Sequence, residues 1–391
     1  MTAPLSKATS GDILDQILNN AIEYGASDVH FEPNGQQFNV RFRVDGLLYQ
    51  ISGLTNFPQE AITSRIKVVS EMDLFEHHLP QDGHFEFIYK DKVYNIRVST
   101  SPTVHGQAVV LRLFNREAFV KEISELGFEP EQLATVKNII ASPYGMILIT
   151  GQIGSGKTTL LYSILNSLST PQRNIITLEN PVEFSVPNIR QLQVNESVGL
   201  TFSLAMRAAV RQDPDVIMLG EIRDSETAQI ALQAALTGTL VFSTFHTFDV
   251  SGLIIRLMEM GVPRSVLAHA LTGVISSRLV RKICTNCAQS YSLTDAEAKV
   301  LGAEVATADF KKGQGCDVCH NSGYLGRTGI YEVIQFDDEI MTAIVEEKPI
   351  AELRQLLQSK IVLSLRQAAI KKVMAGTTTI EELIRVIGPH F

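Results

Sequence analysis

The sequence predicts an α/β protein, in which a largely parallel sheet is covered by helices and a smaller α+β domain precedes it. Three observations carry that expectation. A glycine-rich loop stands between a short apolar run and a helix-spaced run at GMILITGQIGSGKTTLLYSILNSL, Gly145 to Leu168. Strand-like and helix-like segments then alternate, as they do when parallel strands are joined by crossover helices. Ahead of the loop the order differs: one helix, a hairpin, another helix and several more strands, which together make a compact domain of about a hundred residues.

Taken in order, residues 1–10 are small and polar and read as a leader. From Asp12, the positions Ile13, Leu14, Ile17, Leu18, Ala21 and Ile22 recur at helical spacing, and Gly25 is placed to end that helix. SDVHFEP follows, then FNVRFRV and LLYQI joined by Asp45-Gly46, a strong hairpin signal. A helix with Ile62, Ile66 and Val69 on one side leads to a second strand pair around Asp91 and then to AVVLRLF. Residues 116–127 read as a connector. A helix from Glu129 to Ser142 is stopped by Pro143.

The loop itself reads G-x-x-x-x-G-K-T, from Gly151 through Gly154 and Gly156 to Lys157 and Thr158. Between a strand and a helix this is the phosphate-binding loop. Its glycines let backbone N–H groups close around an anion, and the helix that follows adds unpaired donors and the positive end of its dipole. Gly151, Gly154, Ser155, Gly156, Lys157, Thr158 and Thr159 form the expected nucleotide-binding set. Lys157 reaches the β and γ phosphates of ATP, and the Thr158 hydroxyl is the expected Mg²⁺ ligand.

After that helix come strand NIITLE, strand IRQLQV, a helix from Phe202 to Gln212, strand VIMLG, helix DSETAQIALQAAL, strand LVFSTF and a helix from Val250 to Met260. The last 65 residues read as mainly helical, with Thr379 and Glu382 spaced as a capping box for the final helix. In an open parallel sheet the ligand lies beyond the carboxyl ends of the strands, so the strand-end residues converge on the phosphates. Phosphoanhydride hydrolysis needs a magnesium ion, an oriented water and cationic stabilisation. Glu221 is the candidate for holding the magnesium hydration shell or orienting the attacking water, Glu179 for polarising that water, and His246 for sensing the γ phosphate. Asp213 and Asp215 read as turn residues around Pro214.

The totals narrow the class. A chain of 391 residues with 45% hydrophobic and 19% charged residues is a folded protein of two or three domains. A net charge of -8 argues against a generally nucleic-acid-binding surface. No run reaches the ~18 apolar residues of a membrane span, and MTAPLSKATS has no apolar signal core. The expectation is a cytoplasmic protein that meets a membrane only through partners.

All four cysteines fall in two C-x-x-C pairs, Cys284 with Cys287 and Cys316 with Cys319, separated by 28 residues. Two such pairs make a closed four-thiolate site, which suits a structural Zn²⁺ with no position left for substrate. A redox C-x-x-C is the rival reading. Arg281-Lys282 beside Cys284 hint at a nucleic-acid zinc ribbon, but the acidic, alanine-rich loop between the pairs has few stacking groups.

With these residues laid out, the sequence resembles the type II secretion and type IV pilus assembly ATPases. The matching stretches are ASDVHFEP, RFRVDG, SRIK, LPQDGHF, RVSTSPTVHGQAVVLRL, GQIGSGKTTLLY, NIITLENPVEF, RQDPDVIMLGEIRDSETAQIALQAALTG, STFHT, RLVRKIC, the paired cysteines, GYLGRTGIYEV and AGTTTIEELIRV. The resemblance covers nearly everything from Gly11 onward. It implies a PAS-like N-terminal domain (11–115), a linker (116–127), a RecA-like P-loop motor (128–283), a tetracysteine zinc lobe (284–325) and a helical C-terminal subdomain (326–391). It also implies a homo-hexamer on the cytoplasmic face of the inner membrane. There the motor works with platform and bitopic membrane proteins and drives addition of pilin-like subunits to a fibre.

By motif, Lys157 and Thr158 match the Walker A residues, Glu221 the Walker B acid, Glu179 the Asp-box acid and His246 the His-box residue. Arg97 and Arg112 match the arginines that the N-terminal domain brings to the γ phosphate. Three positions depart from the family pattern: Asn180 stands where aspartate is usual, Thr239 where histidine is usual, and Phe248 where asparagine is common. No nucleic acid is expected as a partner. The alternative function is a DNA-uptake or nucleic-acid translocating motor, and a further one is a retraction motor of the same superfamily, which typically lacks the four-cysteine lobe.

Overall fold

The computed structural model describes residues 10–34, 37–51, 59–115, 120–247, 250–294, 297–298, 301 and 310–388. Residues 1–9 of the leader, residues 116–119 of the connector and Phe248 lie outside the described residues, and Ser10 already belongs to the first helix. Two compact units divide the chain, residues 1–118 and 119–391.

The first unit contains α1 (Ser10–Glu23), β1 (Ala26–Asn34), β2 (Gln37–Val44), β3 (Leu47–Gln50), α2 (Gln59–Val69), β4 (Gln81–Tyr89), β5 (Lys92–Thr103) and β6 (Gly106–Asn115). Its six strands form one antiparallel sheet in the order β3-β2-β1-β6-β5-β4. Both expected hairpins are present. Asp45 and Gly46 have φ 48° and 88° and bring Val44 opposite Leu47, while Lys90 and Asp91 do the same for Tyr89 and Lys92. Alternation divides the sheet into two faces. Val29, Phe31, Val40, Phe42, Ile96, Val98, Val109 and Leu111 are buried with Leu14, Ile17 and Leu18 of α1 and Ile62 and Ile66 of α2. The opposite face carries Asp28, His30, Arg41, Arg43, Arg97 and Arg112, with Val110 and Phe114 among them.

The second unit opens with α3 (Pro130–Ile140), β7 (Gly145–Thr150), α4 (Lys157–Leu168), β8 (Ile175–Glu179), β9 (Arg190–Gln193), α5 (Phe202–Val210), β10 (Val216–Leu219), α6 (Ser225–Leu236), β11 (Leu240–Phe245), α7 (Val250–Glu259) and α8 (Arg264–Ala270). It continues with β12 (Leu271–Ile283), β13 (Ala288–Ser290), β14 (Lys311–Gly313), β15 (Tyr324–Gln335), α9 (Asp338–Val345), α10 (Ile350–Lys360), α11 (Leu365–Met374) and α12 (Ile380–Ile387). Seven strands make the main sheet in the order β15-β12-β7-β11-β10-β8-β9, parallel except for the β12/β15 pair.

β7 is buried on both faces, as a central parallel strand must be. Met146 and Leu148 point into a core shared with α5 to α10, whereas Ile147 and Ile149 point into a core shared with α3 and α4. The helices therefore cover both sides. α3 starts on a capping box, Glu129 with Gln132, with Pro130 at its first position.

Two expectations need correction. The segment after residue 325 is not only helical, because the 12-residue β15 joins the main sheet against the 13-residue β12. The final helix has half of its capping box. Thr379 Oγ1 accepts from Glu382 N at 3.2 Å, but the fully buried Glu382 carboxylate turns instead to Arg281 and Arg385. A capping carboxylate normally stays near its own helix start. Here two guanidinium groups offer charge-assisted bonds that the backbone N–H cannot match.

Candidate active site

The loop after β7 wraps closely on itself. Gly151, Gly154 and Gly156 all have positive φ, 153°, 77° and 91°. A Cβ on Gly151 would stand 2.4 Å from Ser155 Oγ and 2.7 Å from Ser277 O, so only glycine fits there. Ser155 is 5% exposed and its Oγ lies 3.2 Å from Ser277 Oγ on β12. Gly156 caps α4 without a side chain, so the first-turn donors of that helix have no side-chain acceptor from the cap position.

Lys157 is 8% exposed, and its Nζ donates to Gly151 O at 2.6 Å and Gln152 O at 3.0 Å. Burial lowers its pKa from 10.5 to about 8, the Arg278 guanidinium pushes the same way, and Glu221 opposes both. Arg278 carries no signal of such a role in the sequence. It is buried on β12, its Nη1 donates to Ser277 O at 2.8 Å, and the same nitrogen would be 3.2 Å from a Cβ on Gly151.

The acidic candidates follow the strands that carry them. Glu221 comes two residues after β10, and its side chain is 25% exposed. Arg223 Nη2 donates to Glu221 Oε1 at 2.5 Å, and His246 Nε2 stands 3.7 Å from Glu221 Oε2. Burial holds the His246 imidazole below its ordinary pKa, helped by Lys157 and Arg223 and opposed by Glu221. The neutral ring is therefore favoured at pH 7. Lys157, Glu221, Arg223 and His246 thus share one electrostatic neighbourhood at the carboxyl edge of the sheet.

Glu179 ends β8 and is only 5% exposed. Its Oε2 accepts a short hydrogen bond from Tyr162 Oη, and its Oε1 accepts from Thr177 Oγ1 at 2.5 Å and from Gln191 Nε2 at 3.2 Å. It is not a strand-end charge in solvent. Tyr162 and Gln191 carried no signal in the sequence, since a tyrosine in a helix and a glutamine in a short strand read as ordinary.

Asp213 and Asp215 are turn residues, as expected. Asp213 has φ 51°, its carbonyl accepts from Asn174 Nδ2, and Asp215 Oδ2 accepts from Asn174 N. Thr239 precedes β11, where its carbonyl accepts from Gly145 N at 3.2 Å. That is the amino edge of the sheet, about 20 Å from the phosphate loop at ~3.3 Å per residue along six-residue β11. Its departure from the family pattern therefore leaves the loop's surroundings untouched.

Arg97 and Arg112 belong to the first unit and lie opposite each other on β5 and β6. Facing cations repel. Arg112 Nε donates to the buried Asp28 Oδ1 at 2.8 Å, and Arg97 lies over the Phe114 ring at 4.9 Å. Arg43 adds a third cation 3.7 Å from Asp28.

The four cysteine sulfurs lie within 4.8 Å of one another. The separations Cys284–Cys316, Cys287–Cys319 and Cys316–Cys319 are 3.9, 3.8 and 3.7 Å. A tetrahedron of ~2.3 Å zinc–sulfur bonds has edges of about 3.8 Å, so the donor set fits zinc in chemistry and in size. N–H groups of Asn286, Cys316 and Gly323 point at these sulfurs. Gly313 and Gly323 let the lobe's segments touch, since a Cβ on Gly313 would meet Gly323 O at 2.0 Å. Arg281, the residue that hinted at nucleic acid, is engaged internally. It pairs with Glu382 at 2.8 Å and lies 3.9 Å over the Tyr324 ring. Among the described residues no helix is long and apolar enough to cross a membrane.

Comparison with known proteins agrees with this arrangement. The chain is 42% identical over 383 residues to the type IV pilus assembly ATPase PilB of Thermus thermophilus, which covers 97% of this chain and 43% of that protein. It is 41% identical over 374 residues to the type II secretion system protein E of Dickeya dadantii, covering 96% of this chain and 75% of the relative. Among solved structures, the pilus retraction motor PilT with bound ADP superposes with a TM-score of 0.67 at 27% identity, covering 96% of this chain and 97% of that one. These relatives do not favour the nucleic-acid motor. Residues 6–385 match the sequence model of the type II/IV secretion system proteins, and the chain belongs to that family.

Proposed function

We propose that the protein is a Mg²⁺-dependent ATPase that powers assembly of pilin-like fibres in a type II secretion or type IV pilus system. One observation carries the catalytic part of this reading. A glycine-built anion cradle, with its lysine, and the carboxylate–imidazole pair Glu221/His246 stand at the same edge of one sheet. The relatives named type IV pilus assembly ATPase and type II secretion system protein E support the rest.

In this reading the second unit is a RecA-like motor with a structural zinc lobe, and the first is a PAS-like domain. The backbone N–H groups of residues 151–159 and the Lys157 ammonium hold the β and γ phosphates. Magnesium would be held by the Thr158 hydroxyl and, through its hydration shell, by Glu221, and it would neutralise charge on the transferring phosphoryl group. Glu179 orients the attacking water. His246, neutral near pH 7, donates toward the γ phosphate and reports its presence to Glu221. Arg97 and Arg112 supply mobile cations as charge spreads in the transition state. In a hexamer, domain movement during ATP hydrolysis is the mechanical output at the cytoplasmic face of the inner membrane, against platform and bitopic membrane proteins.

The test is turnover by purified protein with magnesium. Lys157→Ala and Glu221→Ala are expected to abolish ATP hydrolysis while the fold persists. Hydrolysis near the parental rate in either variant would remove the site assignment.

A further inference from the structure

The Glu179 carboxylate is more tightly constrained than a residue that only orients water needs to be. An ionised carboxylate offers about four acceptor positions. Three are taken, by Tyr162 Oη, Thr177 Oγ1 and Gln191 Nε2. These donors come from three elements, α4, β8 and β9, so the carboxylate cannot turn without breaking a bond to at least one of them.

The donors are themselves held. Tyr162 is 2% exposed, and its ring packs on Phe184 with centroids 4.5 Å apart, in a small buried cluster with Val186. Gln191 Nε2 also donates to Phe184 O at 3.1 Å, and Gln191 Oε1 accepts from Val186 N at 2.7 Å. The segment that follows Glu179 is thereby folded back over the clamp. Tyr162 has a further property. It stands four residues after Thr158 on α4, so the two share one face of the helix that begins at Lys157.

The geometry points to Tyr162 as a positioning residue for the reaction: with Thr177 and Gln191 it fixes Glu179 with one acceptor position left for the attacking water, and it ties that carboxylate to the phosphate-binding helix. This rests on the reading of Glu179 as the water-orienting acid. Tyr162 does not touch the substrate. It acts through Glu179, so that a displacement of α4 on phosphate binding moves the carboxylate with it. A carboxylate freed from one donor samples other rotamers, and the fraction of turnovers that find it aligned falls.

Tyr162→Phe removes one oxygen and leaves the ring against Phe184. The expected result is a fall in kcat of about tenfold, with the KM for ATP changed less than about twofold and ADP binding unchanged. Thr177→Val should lower kcat in the same way and Thr177→Ser should restore it, because serine returns the hydroxyl. A cycle with Glu179→Gln separates the two layers of the argument. In the Glu179→Gln background, Tyr162→Phe should cost little more, since the group it positions has already lost its charge. If Tyr162→Phe turns over at the parental rate while Glu179→Gln does not, the positioning role falls and the water-orienting role stands. If Glu179→Gln is itself near parental, the underlying reading falls. An equal tenfold loss from Tyr162→Phe in both backgrounds would mean that tyrosine acts independently of Glu179, which also overturns the inference.

Discussion

Burial lowers the Lys157 pKa to about 8, and in the proposed function the phosphates that Lys157 holds need its positive charge. Nucleotide affinity should therefore weaken as pH rises through that value. The group is charged below its pKa and neutral above it, so the competent fraction is about 0.9 at pH 7 and about 0.1 at pH 9. The apparent Kd for ATP scales with the inverse of that fraction, which gives about a tenfold weakening between the two pH values. Bound phosphate favours the ammonium, so binding near pH 9 should also take up close to one proton. Phosphate monoesters complete their ionisation near pH 6 and His246 is held below its ordinary value, so neither titrates in this window. Isothermal titration calorimetry between pH 7 and 9, in buffers of different ionisation enthalpy, reads both quantities. Lys157→Met should bind weakly with no such slope. Arg278→Gln removes the guanidinium whose charge adds to the effect of burial on the lysine and should move the midpoint upward. A flat Kd from pH 7 to 9 without proton uptake, or the same slope in Lys157→Met, would refute the reasoning.

Three further outcomes are expected. Arg97→Ala should slow hydrolysis far more than it weakens ATP binding, measured by steady-state turnover and equilibrium titration, because in the proposed function its cation acts as charge spreads; equal losses would make it structural. The tetracysteine site should hold one zinc per chain by elemental analysis, and Cys316→Ser or chelation should lower the thermal transition of the second unit; a metal-free protein of undiminished stability would exclude the structural role. Glu382→Gln leaves Arg281, whose side chain is 11% exposed, and the exposed Arg385 without their shared anion and should cost about 3 kcal/mol in denaturant unfolding, the low end for a broken buried pair because Arg385 stays in water. Burial alone would raise the Glu382 carboxyl, but hydrogen bonds from Arg385 and Arg281 outweigh it and hold the pKa below the ordinary glutamate value. The stability it contributes is thus complete above the ordinary value and lost as pH falls through the lowered one, so acid unfolding of the parent should be steeper than that of Glu382→Gln.

The parts legible in the sequence are those whose physics is local. Glycines that must adopt positive φ, an Asp-Gly turn and each C-x-x-C pair are set within a few residues of chain, so Gly151, Asp45 and Cys284 announce their roles without a fold. The strand-end places of Glu179, Glu221 and His246 are legible from the alternation of strands and helices, and the rule that parallel sheets bind ligands at their carboxyl edge makes these residues candidates. What the tertiary structure decided is which distant residues meet. β12 and β15 escaped notice because their pairing joins residues some fifty positions apart and Ser276-Ser277 interrupts the apolar pattern. Arg278 carries no signal until β12 is laid beside β7, and Tyr162 reads as a helix residue until β8 brings Glu179 to its hydroxyl. Such contacts depend on packing across the sheet, and side-chain spacing along the chain carries no trace of them.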